Sequence, residues 1–273
     1  MKIACAQTEP KLRGIASNLD EMKRVIESCD ADLIVFPELS LSGYFFLSRD
    51  EILPYSLSTE DETMKVLCQS CKDHKKAIVF GFAEHSGDKV FNSSVLIDRN
   101  GEIKGLYRKV HLFYYETVVF SPGNLGFPVF DLQLADGETV KIGMQICYDW
   151  RFPEATRSLA LRGAEMVVMP SNIVTMTGLL IDTLRVRAFE NKVIVVFSDR
   201  VGSEEREING KKENLGFRGE SCIINYNGEV LSRCTTDEIA TCYATIFPSE
   251  TIVKDVNLYN NIIKDRKNLM YYL

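Results

Sequence analysis

Val140-Lys141-Ile142-Gly143-Met144-Gln145-Ile146-Cys147 runs directly into Tyr148-Asp149-Trp150-Arg151-Phe152-Pro153-Glu154. In the first half, Val140, Ile142, Met144 and Ile146 alternate with Lys141, Gly143, Gln145 and Cys147. A period of two predicts a strand whose apolar face carries the first set, with Cys147 pointing away from it. Pro153 followed by Glu154 is a good helix start: Pro is tolerated in the first turn and Glu suits the helix dipole there. The stretch therefore reads as strand, turn, helix, with Cys147 on the turn.

The same alternation extends in both directions. Upstream, residues 1–7 read as a strand, 18–28 as an amphipathic helix and 32–36 as a buried strand stopped by Pro37. Residues 39–57 are irregular and rich in aromatics. A helix over 63–75 and a strand over 77–83 follow, and strands over 91–98 and 102–110 flank Arg99-Asn100-Gly101 as a hairpin. Downstream come a helix over 153–162, a strand over 166–169, a helix over 179–191 and a strand over 193–198. Strands over 217–224, 229–232 and 240–246 close the chain, the first two joined at Asn227-Gly228. Residues 203–214 are polar and charged and read as a solvated loop, of a length that can roof a site or meet a partner. No Pro-rich or Gly/Ser-rich linker divides the chain. Residues 1–273 are expected to form one domain of two similar α/β halves, packed sheet to sheet with helices outside.

Composition narrows the function classes. With 32 basic and 38 acidic residues the net charge is −6, and the basic residues are scattered, so no phosphate-binding surface is expected and nucleic acid is not a partner. A chain that is 45% hydrophobic and 26% charged is globular rather than disordered. Its longest apolar runs, 166–169 and 193–197, are far shorter than the ~20 residues of a bilayer span. Gln7, Thr8 and Glu9 interrupt the start before any secretory core forms, which leads to the expectation of a cytoplasmic protein. Its eight cysteines are then free thiols, mostly buried. Cys68 and Cys71, with His74 nearby, have metal-like spacing. They lie in a polar helical stretch with no second such pair, and a structural zinc takes four ligands.

Cys147 differs from the other seven. A strand-to-helix turn presents its side chain in the open and leaves backbone N–H groups to receive an oxyanion. A thiol of pKa ~8.5 needs a base or a cation to attack at neutral pH. His74 and His85 lie in polar, surface-like segments, which leaves His111, Glu38 at the sheet rim and Lys109 near a strand end. On local pattern alone, Glu38 reads equally as a loop charge and Lys109 as an ordinary basic strand residue.

Three blocks in order decide between these readings: Phe36-Pro37-Glu38-Leu39 with Gly43-Tyr44; Tyr107-Arg108-Lys109-Val110-His111-Leu112-Phe113; and residues 143–154. With Arg162-Gly163-Ala164-Glu165 and Arg187-Ala188-Phe189-Glu190-Asn191, they resemble the signature of the nitrilase, or carbon-nitrogen hydrolase, superfamily over nearly the whole chain. The resemblance implies a four-layer α-β-β-α sandwich of two mixed sheets packed face to face with helices outside. It also implies a homodimer or higher homo-oligomer and a Glu-Lys-Cys triad with no metal and no organic cofactor. Position by position it implies Cys147 as nucleophile, Glu38 as general base and Lys109 as the cation beside the reacting carbon. The backbone N–H of Tyr148 joins Lys109 at the oxyanion. Glu116, in His111-Leu112-Phe113-Tyr114-Tyr115-Glu116, falls where amidase branches carry a second glutamate, although Tyr114-Tyr115 departs from that block and a solvated loop acid is the plain alternative.

The implied substrate is a small aliphatic amide, ω-amide or N-carbamoyl compound, hydrolysed through a cysteine thioester. Residues 173–184 and 260–272 resemble archaeal nitrilase-like members, which makes a small aliphatic nitrile the second reading. A non-catalytic protein on the same scaffold is the reading from a different class. A cysteine hydrolase assisted by His111 is a further alternative, in which loss of His111 would kill activity and loss of Glu38 would spare it.

Overall fold

The computed structural model describes residues 1–174 and 178–271. Residues 175–177 and 272, parts of the two segments likened to archaeal members, lie outside that range. The first sheet is built from β1 (Lys2–Gln7), β2 (Leu33–Val35), β3 (Ala77–Ser86), β4 (Lys89–Ile97), β5 (Ile103–Arg108) and β14 (Ala240–Thr245), in the order β14-β1-β2-β3-β4-β5. The second contains β6 (Val129–Gln133), β7 (Thr139–Met144), β8 (Met166–Ser171), β9 (Ile194–Asp199), β12 (Cys222–Ile224) and β13 (Val230–Arg233), in the order β13-β12-β9-β8-β7-β6. Each has three parallel strands at its centre and antiparallel strands at its edges.

The strand period distributes the core. Ile3, Cys5, Leu33, Val35 and Val79 face inward and share one buried cluster with Ile142, Met144, Ile146 and Val168 of the other half. Their neighbours Ala4, Ala6, Ile34, Phe36, Ile78 and Phe80 face outward, under Met22 and Ile26 of α1 (Ile15–Ser28) and Met64 and Leu67 of α3 (Glu62–His74). On the second sheet, Leu159 of α5 (Pro153–Leu161) and Leu184 and Ala188 of α6 (Leu180–Asn191) cover the outer face. Each Val, Leu, Ile, Phe or Met among them contributes roughly 1.5–3 kcal/mol by leaving water. The result is the α-β-β-α sandwich of two mixed sheets, with β14 crossing from the second half of the chain to pair with β1.

The segment expected as a solvated loop, 203–214, is instead a hairpin of β10 (Ser203–Ile208) and β11 (Lys211–Gly216) turning at Asn209-Gly210. Both turn residues have positive φ, the geometry that two-residue hairpin turns require. The less exposed positions of β10 are Glu204, Arg206 and Ile208, so its inward face is mostly polar. The strand expected over 217–224 is confined to Cys222–Ile224. All eight cysteines are free, Cys68 half-buried and the rest buried. Among the described residues no group of three His, Cys, Asp or Glu side chains is placed to hold a metal, and no helix is long and apolar enough to cross a membrane.

Candidate active site

Four strand ends meet at one edge of the sandwich, where open α/β sheets hold ligands. Glu38 follows β2 and Pro37. Its backbone lies against Gly81 of β3 so closely that a Cβ there would be 2.5 Å from Glu38 Cα. The next residue, Leu39, turns the chain with φ 49°, and the Glu38 N–H reaches Ser171 O of the opposite sheet at 3.4 Å. Lys109 follows β5 and continues its pairing through N–H to Asn92 O at 2.8 Å. Its Nζ donates to Glu38 Oε1 at 2.6 Å and lies 2.8 and 2.7 Å from the two Glu116 oxygens.

Glu116 opens the short helix α4 (Glu116–Val119) and is buried, which rules out a solvated loop acid. Its Oε1 also accepts from Tyr44 OH at 2.8 Å, and its Oε2 from Phe113 N–H at 3.2 Å. Asn92 Nδ2 donates to Glu38 Oε1 at 2.6 Å. Glu38 Oε2 is buried and has no hydrogen-bond partner among the described residues.

Cys147 begins a 3-10 turn, Cys147–Arg151, three residues beyond the end of β7. Its φ of 42° is a conformation that a side chain other than glycine adopts only when its surroundings hold it there. Asp149 does the holding: Oδ2 accepts Ile146 N–H at 2.9 Å and Tyr107 OH at 2.6 Å, while Oδ1 accepts His111 N–H at 3.2 Å. The turn does not leave the thiol in the open as expected; Cys147 is 5% exposed, with Sγ 3.7 Å from Asn172 O. Tyr148 N–H precedes the first bond of the turn, Asp149 N–H to Ile146 O at 3.1 Å. His111 is committed elsewhere, its Nδ1 2.8 Å from Asp149 Oδ1 and its ring stacked on Phe152 at 3.6 Å.

A cavity of about 190 Å³ opens onto Cys147, walled by Phe113, Tyr148, Trp150 and Ile173, with Arg151 and Asn172 on its lining. A cavity of ~150 Å³ holds one benzene, so this one suits a small molecule.

Burial and charge oppose one another here. Burial pushes the Glu38 carboxyl up to about 7; Lys109 works against the rise and Glu116 adds to it. Burial would lower Lys109, yet the Glu116 and Glu38 carboxylates outweigh it and hold the ammonium above its usual range. Burial first, and then the Glu38 charge, raise Cys147 well above an ordinary thiol despite Lys109. The site therefore rests as a thiol beside a base poised near neutrality.

The carbon-nitrogen hydrolase family profile matches residues 2–252. The chain belongs to the carbon-nitrogen hydrolase family. It is 37% identical to a nitrilase of Pyrococcus abyssi over 276 aligned positions, covering 100% of this chain and 99% of that one. It is 34% identical to an (R)-stereoselective amidase of Pseudomonas sp., covering 88% and 82%. An amidase from Nesterenkonia sp. AN1 has the same fold, with a TM-score of 0.81 at 24% identity over 98% of this chain and 97% of that one. This carbon-nitrogen hydrolase is thus an enzyme of non-peptide C–N bonds. Its family blocks supply Glu38, Lys109, Glu116 and Cys147, and the fold brings all four together. The sequence alone assigned no role to Tyr44, Asn92 or Asn172, which touch them; the available signals were the place of Tyr44 in the first block, a polar Asn92 inside the apolar strand β4, and Asn172 just past the end of β8.

Proposed function

We propose that this protein hydrolyses the C–N bond of a small aliphatic amide, ω-amide or carbamoyl compound through a thioester on Cys147. The observation that carries the reading is the buried Glu38–Lys109–Glu116 cluster beside the Cys147 thiol, with Glu38 Oε2 unpartnered among the described residues. Since the thiol is not ionised at rest, Glu38 takes its proton as Sγ attacks the carbonyl carbon. Lys109 Nζ and the Tyr148 N–H stabilise the oxyanion. The proton then passes to the departing nitrogen, the C–N bond breaks, and ammonia or amine leaves. Water deprotonated by Glu38 attacks the thioester, and the acid is released as Cys147 regains its proton. Glu116 keeps Lys109 charged and in place.

Because the base must be the carboxylate, activity is lost as Glu38 takes up a proton. With amide substrate, kcat/KM is expected to fall about tenfold per pH unit below a midpoint near 7. A profile flat from pH 5 to 8 would remove Glu38 from the role.

The cavity also favours one end of the substrate range. Arg151 is the single formal charge among its lining residues; it is exposed, lies 5.0 Å from the Trp150 ring and makes no ion pair among the described residues. An ω-amide whose far end is a carboxylate would meet that guanidinium with its apolar stem along Phe113 and Ile173. The test is ammonia release from matched amides with and without a terminal carboxylate, alongside their nitriles. The carboxylated amide should have the highest kcat/KM, and Arg151→Gln should raise KM for that compound alone. Faster turnover of the nitriles would instead select the nitrilase reading, which the Pyrococcus relative supports.

A further inference from the structure

The hairpin β10–β11 has no part in the chemistry above, yet it reaches the loops that carry both carboxylates. Glu204 is 5% exposed. Its carboxylate accepts Tyr44 N–H, 3.1 Å from each oxygen, and Phe45 N–H at 2.6 Å, and it pairs with Arg200. Arg200 is itself buried, donates to Pro10 O at 2.6 Å and lies 3.9 Å over the Phe217 ring. A carboxylate removed from water persists only with such a full set of donors. The backbone has been shaped to admit it. Gly43 has φ 76°, and a Cβ there would sit 2.5 Å from Leu12 Cα and 2.9 Å from Glu204 Oε1.

Two further ties run from the same hairpin. Arg206 donates to Phe45 O at 2.7 Å and pairs with Glu51, which in turn accepts Leu47 N–H at 2.8 Å. On the second strand, Glu213 accepts Tyr114 OH at 3.2 Å, two residues before Glu116. Tyr44 stands between the two systems: its N–H is held by Glu204, and its hydroxyl binds the Glu116 oxygen that Lys109 also reaches.

We infer that the β10–β11 hairpin is a positioning clamp for the active site, in which Glu204, paired with Arg200, fixes the Tyr44 backbone so that the Tyr44 hydroxyl holds Glu116 against Lys109. The inference rests on the chemistry proposed for Glu38, Lys109 and Cys147. Glu204 touches no reacting atom; it is a positioning residue that acts through Tyr44.

The test is a double-mutant cycle on kcat. Glu204→Gln should lower kcat roughly 10- to 100-fold, the scale of a small misplacement of a catalytic group, with KM within about threefold of wild type. In a Tyr44→Phe background the same change should cost less than about twofold more, because both variants break one linkage. Losses that multiply, or an undiminished kcat in Glu204→Gln, overturn the clamp. Should Glu204→Gln leave Arg200 too poorly compensated to fold, the pair Arg200→Met with Glu204→Gln removes both charges and carries the same readouts. Hydrogen exchange on the wild-type enzyme needs no variant: the Tyr44 and Phe45 amides should exchange as slowly as those of β1, and exchange at loop rates overturns the proposal. An active Cys147→Ala protein would mark failure of the underlying chemistry. An inactive Cys147→Ala beside a fully active Glu204→Gln would mark failure of the clamp alone.

Discussion

Cys147→Ala is expected to abolish ammonia release, by roughly 10⁴-fold or more, with the melting temperature almost unchanged. The first half follows from the convergence of the site on one sulfur: the charges acting on Cys147 are Glu38, Lys109 and Glu116, and removing the nucleophile of a coupled set costs nearly all that the set provides. The second half follows from what the sulfur touches. Among the described residues its hydrogen bond is a long contact of 3.7 Å to Asn172 O, and Ala keeps the Cβ that the positive φ already accommodates. The loss of one sulfur from a lined cavity should therefore cost no more than about 1 kcal/mol. Ammonia assay, thermal melt and mass spectrometry of trapped adducts check it together. Wild-type turnover in the variant would defeat the thioester mechanism, and labelling of Cys147 no faster than the other seven thiols would favour a non-catalytic scaffold.

Lys109→Met, unlike Cys147→Ala, should damage stability and activity together. Lys109 Nζ is the cation between two buried carboxylates, at 2.6 Å from Glu38 and 2.7 Å from Glu116. Removing one partner of a buried ionic set strands the rest, at a cost of about 3–5 kcal/mol. Without it, Glu38 rises further above the value near 7 that burial already imposes, so the base is protonated at neutral pH and the rate collapses. The sign of the pH effect on stability follows. A carboxyl whose folded pKa exceeds its unfolded value of about 4.5 binds its proton more tightly when folded, so stability grows as pH falls from 8 towards 5. The melting temperature of Lys109→Met should therefore recover towards wild type at pH 5.5 and lie furthest below it at pH 8. A variant as stable as wild type at pH 8 would contradict the buried charge arrangement.

The site and the fold were legible in the sequence to different depths. Residues 1–7, 32–36 and 140–146 announce themselves because both partners of each strand face are apolar or alternate cleanly. The helices of 63–75 and 153–162 announce themselves by spacing and by Pro153. The edge strand Val129–Gln133 and the hairpin 203–216 do not: in the first Val129 and Phe130 are adjacent and break the alternation, in the second Glu204 and Arg206 share the inward face with Ile208, and tertiary contacts decide both conformations. Glu38, Lys109, Glu116 and Cys147 sit in local blocks that can be matched one at a time. Tyr44 and Glu204 meet across 160 residues of chain, and no local pattern encodes a contact of that range. The buried state of Cys147 was equally invisible, because the turn that projects it was readable whereas the Asn172 segment that covers it comes from the next strand.

The pairing of β1 with β14 also sets how this protein must be made. Met1 N donates to Ile246 O at 3.0 Å, across 245 residues, and every residue of Lys2–Gln7 has its partner in Ala240–Thr245. β1 waits with one edge unpaired until β14, more than 200 residues further along the chain, has been synthesised. Pairing of such long sequence separation is slow, and an open apolar edge in the interval is where nascent chains associate wrongly. A chain released before residue 240 would be not a shorter enzyme but a sheet with β1 unpaired on one side, which makes β14 the checkpoint between synthesis and a competent molecule.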